Sequence, residues 1–202
     1  MVRAAVRAVN LAGHSYRPME HRGDLADDRH SAGRAQRRDW AIGTRTATAW
    51  SACVVWTDHM ALSVTTMFAK SPLSRAEREM MAVVVSATNG CRYCVTHHGE
   101  ALLHFWKDPD RVAALAKEAP APSGLSDREA ALCRYARLVT QEPGTSDVDA
   151  VVADLRSLGL DDRAILDATL VVSYFNFVNR MVLALDVELE AEAGGYQYGA
   201  AE

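Results

Sequence analysis

SRAEREMMAVVVSATNGCRYCVTHH, residues 74–98, decides how this chain reads. Ser74 and Glu77 form a capping box, in which the hydroxyl takes one orphan N–H and the carboxylate reaches back for another. The helix they open spans Arg75 to Thr88 and is apolar beyond Arg78. Asn89-Gly90 ends it. Cys91 then begins a second helix, predicted to reach Trp106. On it Cys91, Cys94, His98, Leu102 and Phe105 recur at spacings of 3, 4, 4 and 3, which puts all five on one stripe. The free N–H groups of a helix start favour negative charge, and therefore thiolate. His98 lies one turn beyond Cys94 and can serve as its proton partner. A C-x-x-C pair in this position can close to a disulfide with little backbone movement. On the preceding helix Glu79 aligns with Ala82, Val83, Ser86 and Gly90. Burial among Met and Val is expected to raise its pKa and suit it to proton relay near neutral pH.

The same logic extends outward and finds helices only, so the fold class is all-α. HMALSVTTMFAK is a short apolar helix before Ser71-Pro72. Asp108-Pro109 starts another, predicted to reach about Glu118. SDRE at 126–129 is a second capping box, opening a helix to about Gln141. Residues 147–158 form a helix closed by Gly159. Asp161 or Asp162 caps a last helix, predicted to run to about Glu190. Short connections between consecutive helices imply a bundle with the C-x-x-C at the start of a core helix.

The ends differ from this middle. Up to Asp58 the chain holds nine arginines, no lysine and six acids, a formal +3 against −7 for the rest. It lacks a sustained period, so 1–57 read as an irregular extension, either disordered or added by an over-extended reading frame. The helical domain is expected over 58–190 and a loose tail over 191–202. The net charge of −4 gives no reason to expect nucleic acid. No apolar run is long enough for a membrane span, and no signal-peptide core precedes the domain, so the expected location is the cytoplasm. Thiols are kept reduced there, which favours a catalytic or metal-binding use of a close pair over a structural one.

Glu79, eleven residues, Cys91-Arg92-Tyr93-Cys94, three residues and His98 together resemble the signature of the AhpD-like alkylhydroperoxidases. These belong to the carboxymuconolactone decarboxylase superfamily. SPLSRAEREMMAVVVSATNGC and YFNFVNRMVLALDVELE are similar to its peroxidase-related branch, and the resemblance covers about residues 60–190. It implies an oligomer-forming all-α fold that reduces organic hydroperoxides or hydrogen peroxide. It implies that Cys94 is the peroxidatic thiol, Cys91 the resolving thiol, and Glu79 with His98 the proton relay. A dithiol protein or lipoyl-type carrier would return the electrons. Tyr93 departs from the family by standing where its best-studied members carry histidine. The decarboxylases of the superfamily lack the cysteine pair, so that activity is the lesser expectation.

Other readings of the same residues are a non-enzymatic redox sensor and a metal-binding helical module. For the latter Cys91, Cys94 and His98 supply three ligands, with Glu79 or His97 as a fourth. No cofactor motif occurs; there is neither G-x-G-x-x-G nor a Walker sequence. Cys133, inside ALCRYARLV, reads as an inert core thiol. Cys53 is assigned nothing. Asn176, Asn179 and Arg180 interrupt an apolar helix and read as a hydrogen-bond cluster between helices or subunits, with pocket lining as the alternative. The helices at 75–88 and 164–185 are apolar around much of their circumference, which points to a homo-oligomer.

Overall fold

A computed structural model of the chain describes residues 58–117 and 124–189, and the regular structure among them is all helix. The expected extension, 1–57, and the expected tail, 191–202, lie outside the described residues, as does Cys53. The chain divides into two compact units. The first, Ala5–Leu62, is described only at 58–62, where a helix begins. The second, from Ser63 onward, contains the core and the site described below.

Helix α1 occupies 58–68. It is followed by α2 (Arg75–Thr88), α3 (Arg92–Trp106), α4 (Pro109–Leu115), α5 (Asp127–Gln141), α6 (Ser146–Ser157) and α7 (Asp162–Ala184). Helix α2 is the axis of the unit. It packs against α3, α5 and α7, and touches α4. Every residue from Arg78 to Ser86 is buried. This explains its nearly unbroken apolar run, since an element surrounded on all sides has no face left for water. Arg78, the one cation in that stretch, donates to the carbonyls of Thr66 and Ala69 at 3.3 and 3.0 Å, at the end of α1. Leu102 of α3, Leu132 and Ala136 of α5, and Ala168, Val171 and Phe175 of α7 complete the core.

The helix starts fall where the capping residues place them. Ser74 with Glu77 and Ser126 with Glu129 form both bonds of their capping boxes. Asp108 and Asp161 accept from the N–H groups of Arg111 and Ala164. Two helix ends come earlier than expected. Helix α4 stops at Leu115 rather than near Glu118. Helix α7 stops at Ala184 rather than near Glu190, because Asp186 turns left-handed at φ 50°. The N–H groups of Asp186 and Val187 then bond back to Leu183 and Val182, closing a Schellman motif without glycine. Burial also revises the oligomer argument. Helix α2 is covered by the chain's own helices, whereas α7 exposes Leu166, Leu170, Phe177 and Leu183.

Candidate functional site

The junction of α2 and α3 builds the site. Gly90 sits at φ 69°, and its N–H bonds back to Ala87 at 3.0 Å while that of Cys91 bonds to Ser86 at 2.8 Å. This is a Schellman closure of α2, and it fixes Cys91 as the residue that caps α3. One turn on, Cys94 brings its sulfur to 3.0 Å from that of Cys91. Both thiols are free, and both are buried, at 0% and 3% exposure.

Their environments are unequal. The neighbouring Cys94 thiol, as hydrogen-bond partner, pulls the Cys91 thiol down to about 7. Burial opposes this, and the backbone N–H groups of Cys94 and Tyr93 add to it. Cys94 is pushed far up, first by its bond to Cys91, then by burial and by the charge on Cys91. The pair therefore loses one proton near neutrality and holds the second, with the first negative charge resting at the helix start. The nearby side chain of Asn179, on α7, works in the opposite direction.

Glu79 is wholly buried on α2 and reaches His98 across the helix interface, with Oε2 2.7 Å from Nδ1. Its other oxygen accepts from Arg75, at 2.8 Å from Nε. The burial matches expectation, but its effect on the acid is reversed. Desolvation, the largest influence, raises the carboxyl, yet His98 and Arg75 together bring it below its ordinary value. Glu79 thus stays ionised. Its carboxylate requires a hydrogen on Nδ1 of His98, which leaves Nε2 of the neutral ring as a proton acceptor. Phe175 holds the ring edge-on, with centroids 4.5 Å apart and planes at 82°.

The sequence-predicted residues Glu79, Cys91, Cys94 and His98 thus come together at one helix junction. Leu102 continues the stripe into the core, but Phe105, at its far end, is exposed. His97 turns to Tyr93, with ring centroids at 4.4 Å. His104 lies against Phe105. Cys133 is buried on α5, and burial pushes its thiol up to about 12. The Asn176/Asn179/Arg180 group forms bonds between helices, reaching Asn89, Ser86 and Thr140. Two neighbours of the site escaped the sequence reading. Arg75 was legible as the i−4 partner of Glu79. Asn179 interrupts an apolar helix, but nothing in its spacing links it to Ser86 and Asn89 on the far side of the chain.

Comparison with known proteins fits this geometry. Residues 56–138 match the model of the carboxymuconolactone decarboxylase family. An uncharacterized peroxidase-related protein from Silicibacter sp. TM1040 is 30% identical, with a TM-score of 0.64 over 88% of this chain and 92% of that one. A second such protein, from Ralstonia eutropha JMP134 and described as an alkylhydroperoxidase AhpD core, is 24% identical (TM-score 0.61; 87% and 92% covered). A protein of unknown function from Agrobacterium tumefaciens, a candidate antioxidant-defence AhpD, is 22% identical (TM-score 0.62; 74% and 100% covered). The latter two likenesses bear on the fold alone. No curated protein matches the sequence. Together the family match and the peroxidase-related relative at 30% identity place the chain in the carboxymuconolactone decarboxylase family.

Proposed function

We propose that the protein is a thiol-dependent peroxidase that reduces organic hydroperoxides or hydrogen peroxide through Cys91 and Cys94. The observation that carries this reading is the pair of free sulfurs 3.0 Å apart at a helix start, beside an ionised Glu79 bonded to His98. In the cycle the Cys94 thiolate attacks the distal oxygen of the hydroperoxide. The O–O bond breaks, Cys94 becomes a sulfenic acid, and the alkoxide takes a proton to leave as alcohol. The Cys91 thiolate then attacks the sulfenic sulfur, a disulfide forms, and hydroxide leaves with a proton as water. An external dithiol, from a dithiol protein or a lipoyl-type carrier, restores both thiols and is itself oxidised to a disulfide.

The charge preference of the resting pair bears on the first step. Negative charge favours Cys91, so Cys94 must surrender its proton before it attacks. His98, bonded to Glu79 one turn beyond Cys94, is suited to accept it. The ionised Glu79 orients the ring and stabilises the imidazolium that results, and does not itself carry the proton. We place the protein in the cytoplasm as a homo-oligomer, with the exposed apolar residues of α7 as the support for assembly.

The test is turnover of cumene hydroperoxide with excess dithiol. The native chain should consume many equivalents, and Cys94→Ser should consume none while keeping its helical circular dichroism. Consumption of about one equivalent followed by arrest would indicate a single-use redox sensor instead. Full activity in Cys94→Ser would end the assignment.

A further inference from the structure

The buried carboxylate of Glu79 divides its two oxygens between two partners. Oε2 meets Nδ1 of His98 at 2.7 Å. Oε1 accepts from Arg75 twice, from Nε at 2.8 Å and from Nη2. Neither oxygen can turn away without leaving a buried charge short of a donor. The arginine is fixed in turn by the end of α1. Its Nη1 donates to the Met67 carbonyl at 3.2 Å, and its Cζ lies 3.5 Å from the centre of the Phe68 ring. That ring is 59% exposed, so an aromatic face otherwise open to water closes over the guanidinium. Arg75 is badly placed for its own helix. It is the first residue of α2, where the helix dipole disfavours a cation. In its i, i+4 pair with Glu79 it precedes the acid, which is the weaker order. Local rules broken together in this way point to a site.

We infer that Arg75 is a positioning residue for the proton relay, clamping Glu79 against His98 so that the proton leaving Cys94 stops on the imidazole and not on the carboxylate. The proton passes from the Cys94 sulfur to Nε2 of His98 and from there to the departing alkoxide, while Glu79 keeps its charge. Burial, the largest influence on Glu79, raises its carboxyl, and His98 and Arg75 oppose it. Removing Arg75 takes away one of the two opposing partners. The charge of Arg78, on the same helix, also acts with Glu79, but its guanidinium is bonded to the carbonyls of Thr66 and Ala69. Of the charged groups on the other helices against α2, Asp167 of α7 acts on Arg78, Arg128 of α5 is held by Glu77, and Arg111 of α4 is held by Glu129. The inference rests on reading Cys91, Cys94 and His98 as a redox site.

The test uses the full reduced chain with Arg75→Met, Arg75→Lys and Phe68→Ala. The infrared carboxyl stretch of Glu79, assigned by its absence in Glu79→Gln, is followed across about pH 3 to 8. Arg75→Met should bind the Glu79 proton about tenfold more tightly, and its kcat for cumene hydroperoxide with excess dithiol should fall about tenfold with KM unchanged. Arg75→Lys should restore most of both. Phe68→Ala, which uncovers the guanidinium without removing it, should act in the same sense as Arg75→Met by about threefold. It also carries the test if Arg75→Met loses its helical signal. A merely structural role would lower kcat and leave the Glu79 midpoint where it is. An unmoved midpoint in the folded variants, or a moved midpoint with native kcat, overturns the inference. A moved midpoint in a protein whose native chain consumes no hydroperoxide would break the peroxidase reading and leave the clamp on Glu79 standing.

Discussion

Cys91 and Cys133 are equally buried, each at 0% exposure, yet the protein treats them in opposite ways. Cys133 lies within α5, where burial pushes its thiol up to about 12. Cys91 caps α3, where a neighbouring thiol and two backbone N–H groups bring it down to about 7 although burial opposes them. The contrast shows that burial alone does not decide whether a thiol is reactive. Burial raises both thiols, and at Cys91 it is outweighed by donors that solvate a thiolate in place of water. Only the end of a helix has backbone N–H groups to spare for that purpose.

The comparison can be attacked from its reactive side first. Glu79→Gln keeps the shape of the side chain but removes the charge that orients His98. Hydroperoxide turnover should fall about 100-fold, measured as kcat in a coupled dithiol assay, with the fold retained. A loss of less than about threefold would show that His98 works without its carboxylate.

A smaller effect sharpens the claim about donors. Cys94→Ala removes the largest influence that lowers Cys91. The Cys91 thiolate, read by its absorbance near 240 nm, should titrate well above 7, and its population at neutral pH should drop about tenfold. The sign for stability follows from the lowered value. In the native chain this thiolate stabilises the fold fully above the ordinary thiol range, and the contribution disappears as pH falls through about 7. The reduced native protein should therefore gain stability between those limits, and Cys94→Ala should lose most of that gain.

The helix junction can be strained directly. Gly90 holds φ at 69°, and a Cβ there would meet no atom within 4 Å. Gly90→Ala therefore isolates the backbone cost, about 1–2 kcal/mol, seen as a fall in Tm of about 3–6 °C. The smallest effect belongs to the control. Cys133→Ala should leave turnover unchanged, and Cys133 in the native fold should resist iodoacetamide at neutral pH while Cys91 reacts. Alkylation of both at similar rates would erase the contrast.

Much of this was legible beforehand because it rests on local chemistry. Two capping boxes, Asn89-Gly90, Asp108-Pro109 and Gly159 fix helix boundaries within a few residues of chain, and the structure places those boundaries accordingly. The alignment of Cys91, Cys94 and His98 is likewise a matter of helical period. What was not legible depends on contacts between distant elements or on atypical residues. Asp186 closes α7 in a conformation that glycine or asparagine usually signals, so the sequence carried no warning. The direction of the Glu79 shift depends on the sum of burial and two partners, His98 and Arg75, whose contacts the apolar context of Glu79 does not announce. Asn179 meets Ser86 and Asn89 beside the site because α7 packs against α2, which no spacing in the chain reveals.

The central claim is that Cys91 and Cys94 form a redox pair that a hydroperoxide oxidises while Cys133 stands aside. Its most direct test is intact mass and peptide mapping of the prereduced protein after one equivalent of cumene hydroperoxide without oxygen. The account predicts a loss of about two mass units, mapped to a Cys91–Cys94 disulfide, with Cys133 still a free thiol. An unchanged mass, or oxidation that falls on Cys133 while the pair stays reduced, would contradict it.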